Sequence, residues 1–406
     1  MTAPRSSCPA CRSGGLETFW SQDGLPVSSM LLLDDPVEAR AFPVGSMRLA
    51  WCTGCGFVCN AAHEESRSEY SARYEASQAY SAVFQSFATG LARRWIERYD
   101  LRGKVVLEIG CDKGDFLALL CAMGDNTGIG IDPAATARPP EGPAAERLTF
   151  IAEPYSEAHG AIAADVVVCR HTLEHIPDPF EFLCTLRRSL EDRPDTLVLF
   201  EVPDVRRVLE ELAFWDVYYE HCSYFTAGSL VRLFRRCGFD VRDLEVDFGG
   251  QYLVIEAVPG TGVPTPVRGE DDLVAVSAAV TRFRRGIDPH VEALRAEARE
   301  RGRSVIWGGG SKGVAYLTTL GADAAFVAAV DVNPHKQGRY LPGSGLPVVA
   351  PEALTSIRPE VVVAMNPLYL TEIQGDLDRY RVTAALVAAG QLGVVPTTPR
   401  VHDGSR

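Results

Sequence analysis

The sequence predicts a doubly wound α/β protein, with a cysteine-bearing module in front of its main sheet and a second, smaller α/β unit behind it. Three observations carry this reading. Between residues 66 and 260 short apolar runs alternate with helical stretches, the pattern of parallel strands joined by crossover helices. Two Cys-x-x-Cys pairs fall within the first 65 residues. Beyond a Pro- and Gly-rich break, strand-and-turn patterning restarts after residue 300.

The bulk numbers narrow the class. A chain of 406 residues suggests two or three domains. With 46% hydrophobic and 23% charged residues, the composition is that of an ordinary globular protein. A net charge of -13 argues against a nucleic-acid partner, which usually calls for a basic stripe. The stretch Met1 to Gly15 lacks the apolar core of a signal peptide. No apolar run reaches the ~20 residues that a membrane helix needs. The cysteine count, 11, is odd, and Cys169, Cys184 and Cys237 fall in strand or helix patterns. They read as reduced core thiols, and the expected location is cytoplasmic.

The first block, residues 1–65, holds Cys8-Pro-Ala-Cys11 and Cys52-Thr-Gly-Cys55. Each knuckle can present two thiolates to one tetrahedral zinc ion, and four thiolates leave no open position, so the expected role is structural. The knuckles stand further apart than in a compact zinc ribbon, so the intervening segment must loop out or form strands of its own. The plainer alternative is two unrelated pairs of free thiols. Cys59 is a spare thiol outside the ligand set.

The second block, residues 66–260, has strand-like runs at Val105–Ile109, Thr127–Ile131, Asp165–Cys169 and Thr196–Glu201. It closes on Val241–Val246 and Tyr252–Ala257, a hairpin around Gly249 and Gly250. The third block, residues 261–406, opens with a helix over Glu270–Arg301. Strands follow at Ser304–Trp307, Phe326–Asp331, Val348–Val349 and Glu360–Met365, and the polar end Thr397–Arg406 is expected to fray.

Chemistry enters at Val105-Val-Leu-Glu-Ile-Gly-Cys-Asp-Lys-Gly-Asp-Phe116. A strand runs into a turn whose Gly110 and Gly114 let the backbone approach a ligand, and the following helix offers free N–H groups. Asp132 stands at the tip of the next strand, where a carboxylate can hold both ribose hydroxyls. A dinucleotide enzyme shares this logic. Two details favour S-adenosylmethionine (SAM). Glu108 lies in the strand, placed to receive a methionyl ammonium. The loop carries Asp112 and Lys113 where a three-glycine GxGxxG would have glycine.

Strand–Glu-Ile-Gly-Cys-Asp-x-Gly–helix, followed by Asp132, resembles a class I methyltransferase core. Together with the four-cysteine block and a trailing Rossmann-like unit, it is similar to the SAM-dependent sugar C-methyltransferase family, along nearly the whole chain. The resemblance implies methylation of carbon beside the ketone of a nucleotide-linked keto-deoxysugar. It implies a core over 66–260 and a Rossmann-like substrate-binding domain over 261–406.

In Arg170-His-Thr-Leu-Glu-His-Ile-Pro177, at the carboxyl end of the fourth sheet strand, His175 resembles a family histidine and His171 is assigned to the cofactor set. The plainer reading has Glu174 and His175 capping the next helix. Phe214-Trp-Asp-Val-Tyr-Tyr-Glu-His-Cys-Ser-Tyr-Phe225 contains a Tyr-x-Glu-His pattern, Tyr218, Glu220 and His221. Removing a proton beside a carbonyl calls for a base such as histidine, and the enolate oxygen calls for a donor such as a tyrosine hydroxyl. The resemblance makes His221 the base, with Tyr218 and Glu220 positioning the sugar or stabilising the enolate. Tyr74, with Tyr80 as its alternative, matches a family tyrosine ahead of the core.

Two departures leave the acceptor open. In Asp247-Phe-Gly-Gly-Gln-Tyr252, Phe248 and Gln251 stand where the family carries a histidine and an acidic residue. The run around His171 is also closer to generic methyltransferases. In the third block, Ile306-Trp-Gly-Gly-Gly-Ser-Lys-Gly313 offers backbone amides and Lys312, with Asp331 and Asn366 at neighbouring strand ends. A substrate diphosphate or a structural role suits these loops better than NAD, because the full dinucleotide spacing is missing. The competing functions are O- or N-methylation of another polar metabolite, or a non-catalytic nucleotide-sugar scaffold.

Overall fold

The computed structural model describes residues 5–67, 77–135, 141–260, 265–321 and 326–392. Tyr74 and the end Thr397–Arg406 lie outside them. Three sheets organise the chain.

The central sheet is seven-stranded. Its strands are β4 (Val105–Ile109), β5 (Thr127–Ile131), β6 (Leu148–Ile151), β7 (Val166–Arg170), β8 (Leu197–Pro203), β10 (Phe239–Asp247) and β11 (Tyr252–Pro259). The order is β10-β11-β8-β7-β4-β5-β6. Pairing is parallel from β6 to β8, while β11 runs antiparallel to both β8 and β10. The expected hairpin is therefore present, with its second strand inserted next to β8.

Successive strand residues point to opposite faces, and the two cores follow that alternation. Val106, Val166, Val168, Leu197 and Leu199 pack under the helices Ala82–Tyr99 and Asp115–Gly124. Leu107, Val167, Cys169, Val198 and Phe200 pack under Pro179–Ser189 and Ala227–Arg236. A sheet buried on both faces reads as unbroken apolar runs, which is why these strands were legible in the sequence.

The cysteine block forms a sheet of β1 (Leu16–Pro26), β2 (Val44–Cys52), β3 (Val58–Asn60) and β9 (Ser223–Tyr224). The antiparallel β1–β2 register sets Cys52 opposite Leu16, which brings the second knuckle beside the first. β9 pairs with β3 and begins two residues after His221, so the segment holding His221 is tied to the cysteine block through main-chain pairing.

The third sheet is five-stranded and parallel, in the order β14-β13-β12-β15-β16. Its strands are β12 (Ser304–Trp307), β13 (Phe326–Val330), β14 (Val348–Val349), β15 (Val361–Ala364) and β16 (Ala385–Ala388). The long helix before it spans Leu273–Glu300. Phe283 of that helix meets Phe19 and Trp20 of β1 edge-on at 5.8 and 5.9 Å. Phe214 stacks on Tyr316 of the helix Ser311–Leu320 at 5.6 Å. One buried cluster thus runs through all three blocks. Among the described residues no helix is long and apolar enough to cross a membrane.

Candidate active site

The carboxyl ends of the central strands build one wall of a cavity of about 1070 Å³. The opposite wall comes from the third block, through Trp307, Ser311, Lys312 and Asn366.

The turn after β4 carries left-handed backbone at Gly110 (φ +72°), Asp112 (φ +46°) and Gly114 (φ +82°). A Cβ on Gly110 would lie 1.9 Å from the Thr172 hydroxyl, so close approach of the β4 and β7 turns requires glycine there. Asp132, just past β5, accepts the amides of Asp112 at 3.0 Å and Ala134 at 2.6 Å. These bonds fix the turn and leave lone pairs for ribose hydroxyls.

Glu108 is 3% exposed, and its Oε2 accepts no hydrogen bond from the described residues. Burial pushes its carboxyl up to about 8, with Arg170 pulling the other way. A buried carboxylate with one oxygen left over on the cavity wall suits an incoming ammonium, which would favour the ionised form. Donor affinity is therefore expected to rise as pH goes from 6 toward 8, with proton release on binding at pH 7. Glu108→Gln should flatten that slope and weaken binding by about tenfold or more. Calorimetry in two buffers of different ionisation enthalpy reads both; a flat, proton-neutral profile in the native protein would contradict the assignment.

On the other side of the turn, His171 (φ +49°) lies against Tyr252, ring centroids 4.5 Å apart. Burial disfavours its charge, but Glu201 at 2.6 Å and Glu174 at 3.6 Å outweigh that and raise it to about 9. Arg170 pairs with the same Glu201 oxygen at 2.9 Å.

The Tyr-x-Glu-His run follows a single 3-10 turn, Phe214–Asp216. It is stitched to the turn Leu173–His175. Cys222 donates its amide to the Glu174 carbonyl at 3.0 Å, and His175 Nδ1 lies 3.1 Å from the Glu220 carbonyl. Ser223 donates to the Ile176 carbonyl at 2.7 Å. His221 is 5% exposed. Tyr218 lies over its ring at 4.1 Å, and His175 meets it edge-on at 4.7 Å. Burial first, then the charges of His175, His171 and Lys312, drive the His221 imidazole well below its ordinary range. That shift favours the neutral imidazole, the form that can accept a proton.

The cavity gathers Glu108, Gly110, Asp112, Asp132, His171, His175, Tyr218 and His221 from the candidate residues. Gly114 and Glu220 do not line it. Gly114 caps the helix Asp115–Gly124. Glu220 Oε1 instead accepts from the Ser29 amide at 2.5 Å and hydroxyl at 2.8 Å, and the Ser29 oxygen, 2.7 Å from Ser311 Oγ, accepts from the Ser311 hydroxyl. Glu220 thus ties the three blocks together rather than reaching into the cavity. Of the two tyrosine candidates, Tyr80 lines the cavity and is 42% exposed.

In the third block Lys312 is already paired, at 2.7 Å to Asp216 and 3.2 Å to Gln251. Asp216 also pairs with Arg207. Gln251 and Asn366 exchange reciprocal amide bonds of 2.9 and 3.0 Å. Asp331 accepts the Gly309 and Asn333 amides at 3.0 and 2.9 Å and pairs with Lys336 at 3.3 Å. These bonds fix the Gly309 turn and the loop after β13, as the bonds of Asp132 fix the donor turn.

The thiols of Cys8, Cys11, Cys52 and Cys55 all lie within 4.8 Å of one another. Cys8 and Cys55 are 3.7 Å apart and Cys11 and Cys52 3.6 Å. A tetrahedron with 2.3 Å arms has edges of about 3.8 Å, so the cluster is compatible with one zinc ion. Cys59 stands outside it.

Comparison with known proteins decides the family. Residues 84–244 match the model of a methyltransferase domain, and residues 271–388 match that of a C-methyltransferase C-terminal domain. The chain is 30% identical over 322 residues to C-methyltransferase NovU of Streptomyces niveus, across 74% of this chain and 75% of that protein. The chain belongs to the SAM-dependent C-methyltransferases. A ubiquinone biosynthesis O-methyltransferase of Thiobacillus denitrificans is 27% identical over 172 residues, 38% of this chain and 72% of that one. Among solved structures, 1,6-didemethyltoxoflavin-N1-methyltransferase of Burkholderia thailandensis aligns with TM-score 0.33 and 20% identity, over 46% of this chain and 92% of that one.

In this C-methyltransferase the class I methyltransferase sheet presents Glu108, Gly110 and Asp132 at one end of the cavity and His221 in its interior wall. The residues that sequence reasoning missed are Ser29, Glu201 and Asp216. An acidic residue inside the apolar run Leu197–Pro203 was the available signal for Glu201. Nothing in the sequence connects Ser29 to Glu220.

Proposed function

We propose that this SAM-dependent C-methyltransferase methylates the carbon beside the ketone of a nucleotide-linked keto-deoxysugar through an enolate. One observation carries the reading: a buried neutral imidazole, His221, shares one cavity with the Glu108–Asp132 turn. SAM, when bound at that turn, supplies an electrophilic methyl group. His221 takes the proton from the carbon acid, and the Tyr218 hydroxyl donates to the enolate oxygen as charge develops there. His175 holds the loop through the Glu220 carbonyl, and Glu220 holds it through Ser29. Glu108 receives the methionyl ammonium, Asp132 the ribose, and Asp112, Gly114 and His171 shape that end. The amino end of the helix Ser311–Leu320 lines the far wall, where amides can meet a diphosphate. A volume of about 1070 Å³ suits a donor and a nucleotide-sized acceptor together.

The cysteine cluster is read as a structural zinc site, within a module over residues 1–65. Residues 66–260 form the transferase core and 261–406 the substrate-binding domain. All eleven cysteines are free, which supports a reducing, cytoplasmic setting.

The test is regiochemical. The full-length protein is incubated with SAM bearing a 13C-methyl group and a panel of keto-deoxysugar nucleotides. The expected product carries the label on carbon alpha to the ketone, with S-adenosylhomocysteine released in equal amount. Label on oxygen or nitrogen would replace this reading with O- or N-methylation.

A further inference from the structure

The reading of His221 as base leaves open what holds its ring and tautomer, and the turn Leu173–His175 supplies a candidate. Glu174 is 2% exposed. Its Oε1 lies 4.0 Å from His221 Nε2 and 3.6 Å from His171 Nδ1. Its Oε2 is buried and accepts no hydrogen bond from the described residues.

The two segments are held together by the Cys222 amide on the Glu174 carbonyl and by the Ser223 hydroxyl on the Ile176 carbonyl. Behind Glu174 the charges alternate. Arg170 and His171 both lie on one oxygen of Glu201, at 2.9 and 2.6 Å, and His171 in turn faces Glu174. This row ends at His221. A carboxylate beside one imidazole nitrogen favours the proton on that nitrogen and leaves the other free to accept. It also favours the imidazolium that forms once the ring takes a second proton.

We propose that Glu174 is a positioning residue for this C-methyltransferase: its carboxylate keeps the resting proton of His221 on Nε2, so that Nδ1 takes the proton from the substrate carbon. The proposal rests on the reading of His221 as the base. In the step itself the alpha C–H bond breaks and its proton passes to Nδ1. The bond's electron pair becomes the enolate double bond, and the carbonyl oxygen takes the negative charge. No oxidant or reductant takes part. The groups facing His221 are Glu174, His171, His175, Tyr218, Tyr224 and Lys312. Of these, Glu174 is the one carboxylate among the described residues within 4.0 Å of the ring nitrogens.

The test uses full-length, zinc-replete protein with Glu174→Gln and Glu174→Asp beside the native chain. Long-range proton–nitrogen NMR of the imidazoles, with the His221 signals assigned from His221→Ala, reads the tautomer without turnover. Native protein should show the Nε2–H form, Glu174→Gln a mixture or the Nδ1–H form. Alpha-proton exchange and kcat should fall together in Glu174→Gln by about tenfold to a hundredfold, with Glu174→Asp recovering part of the loss. Donor affinity by calorimetry should fall much less than exchange, any loss passing through His171, which Glu174 also faces.

An Nδ1–H tautomer in native protein, or an unchanged tautomer in Glu174→Gln, overturns the proposal. So does loss of donor affinity and melting temperature in step with exchange, which would make Glu174 a packing residue. A divalent metal bound beyond the cysteine site in native protein, and lost in Glu174→Gln, would overturn it in favour of a Glu174–His175–His221 metal site. If His221→Ala exchanges the alpha proton at the native rate, the base reading itself fails, whatever the tautomer shows.

Discussion

Replacing His221 by alanine is expected to lower kcat by about 10²- to 10⁴-fold, the usual worth of a positioned general base. The ring lies in the cavity wall under Tyr218 and beside His175, so its loss removes the proton acceptor. The donor turn is built from β4 and β5 and is held by Asp132. SAM affinity by calorimetry should accordingly stay within about threefold of native, and KM for the acceptor should move much less than kcat. The pH dependence has a definite sign. Burial and neighbouring cations keep His221 neutral in the fold, whereas an ordinary histidine titrates near 6.5. Unfolding therefore takes up a proton below that pH, and stability falls as pH drops through this range. The activity of the base should be flat above it. His221→Ala should relieve part of that acid destabilisation even as it abolishes turnover.

Loss of the clustered cysteines should have the largest effect on stability. Cys8, Cys52 and Cys55 are buried in the same cluster as Phe57 and Phe225, whose rings meet at 5.3 Å. Arg232 of the helix Ala227–Arg236 donates to the Cys55 carbonyl at 3.1 Å. Purified protein should hold one zinc per chain, and Cys52→Ser or a strong chelator should remove it. Ligand-derived zinc energy is folding energy. Its loss should cost about 3 kcal/mol or more, a drop of roughly 3–4 °C in melting temperature or greater. Activity should fall as well, because β9 of the cysteine sheet begins two residues after His221. Metal-free protein with an unchanged melting curve and four reactive thiols would return the cluster to ordinary cysteines.

The parts of this design that the sequence announces are those whose signal is local. Val105–Ile109 and Val166–Arg170 are buried on both faces and read as apolar runs. The Gly110 turn and Asp132 occupy fixed places at strand ends. The cysteine block hid its strands because register shifts between Thr18 and Trp20 and between Gln22 and Leu25 break the alternation in β1. The edge strands β6 and β16 have four residues each, too few for a period to stand out. β9, with two residues, exists only because β3 is there to pair with it. At the site, Glu220 looked catalytic because it lies beside His221, yet its partner is Ser29, 191 residues away. Lys312 looked like a free cation for phosphate and is held by Asp216. Local pattern fixes which residue types are present, while partner choice between distant segments is decided by packing.

The most direct measurement concerns the carbon acid, without any methyl transfer. Native protein, with no SAM present, is placed in D2O with a keto-deoxysugar nucleotide, and the proton signal alpha to the ketone is followed. The account predicts enzyme-dependent deuterium incorporation at a single carbon, abolished in His221→Ala. A substrate that is methylated on carbon when SAM is added, yet shows no incorporation without it and none in unreacted substrate during turnover, would contradict a His221-generated enolate.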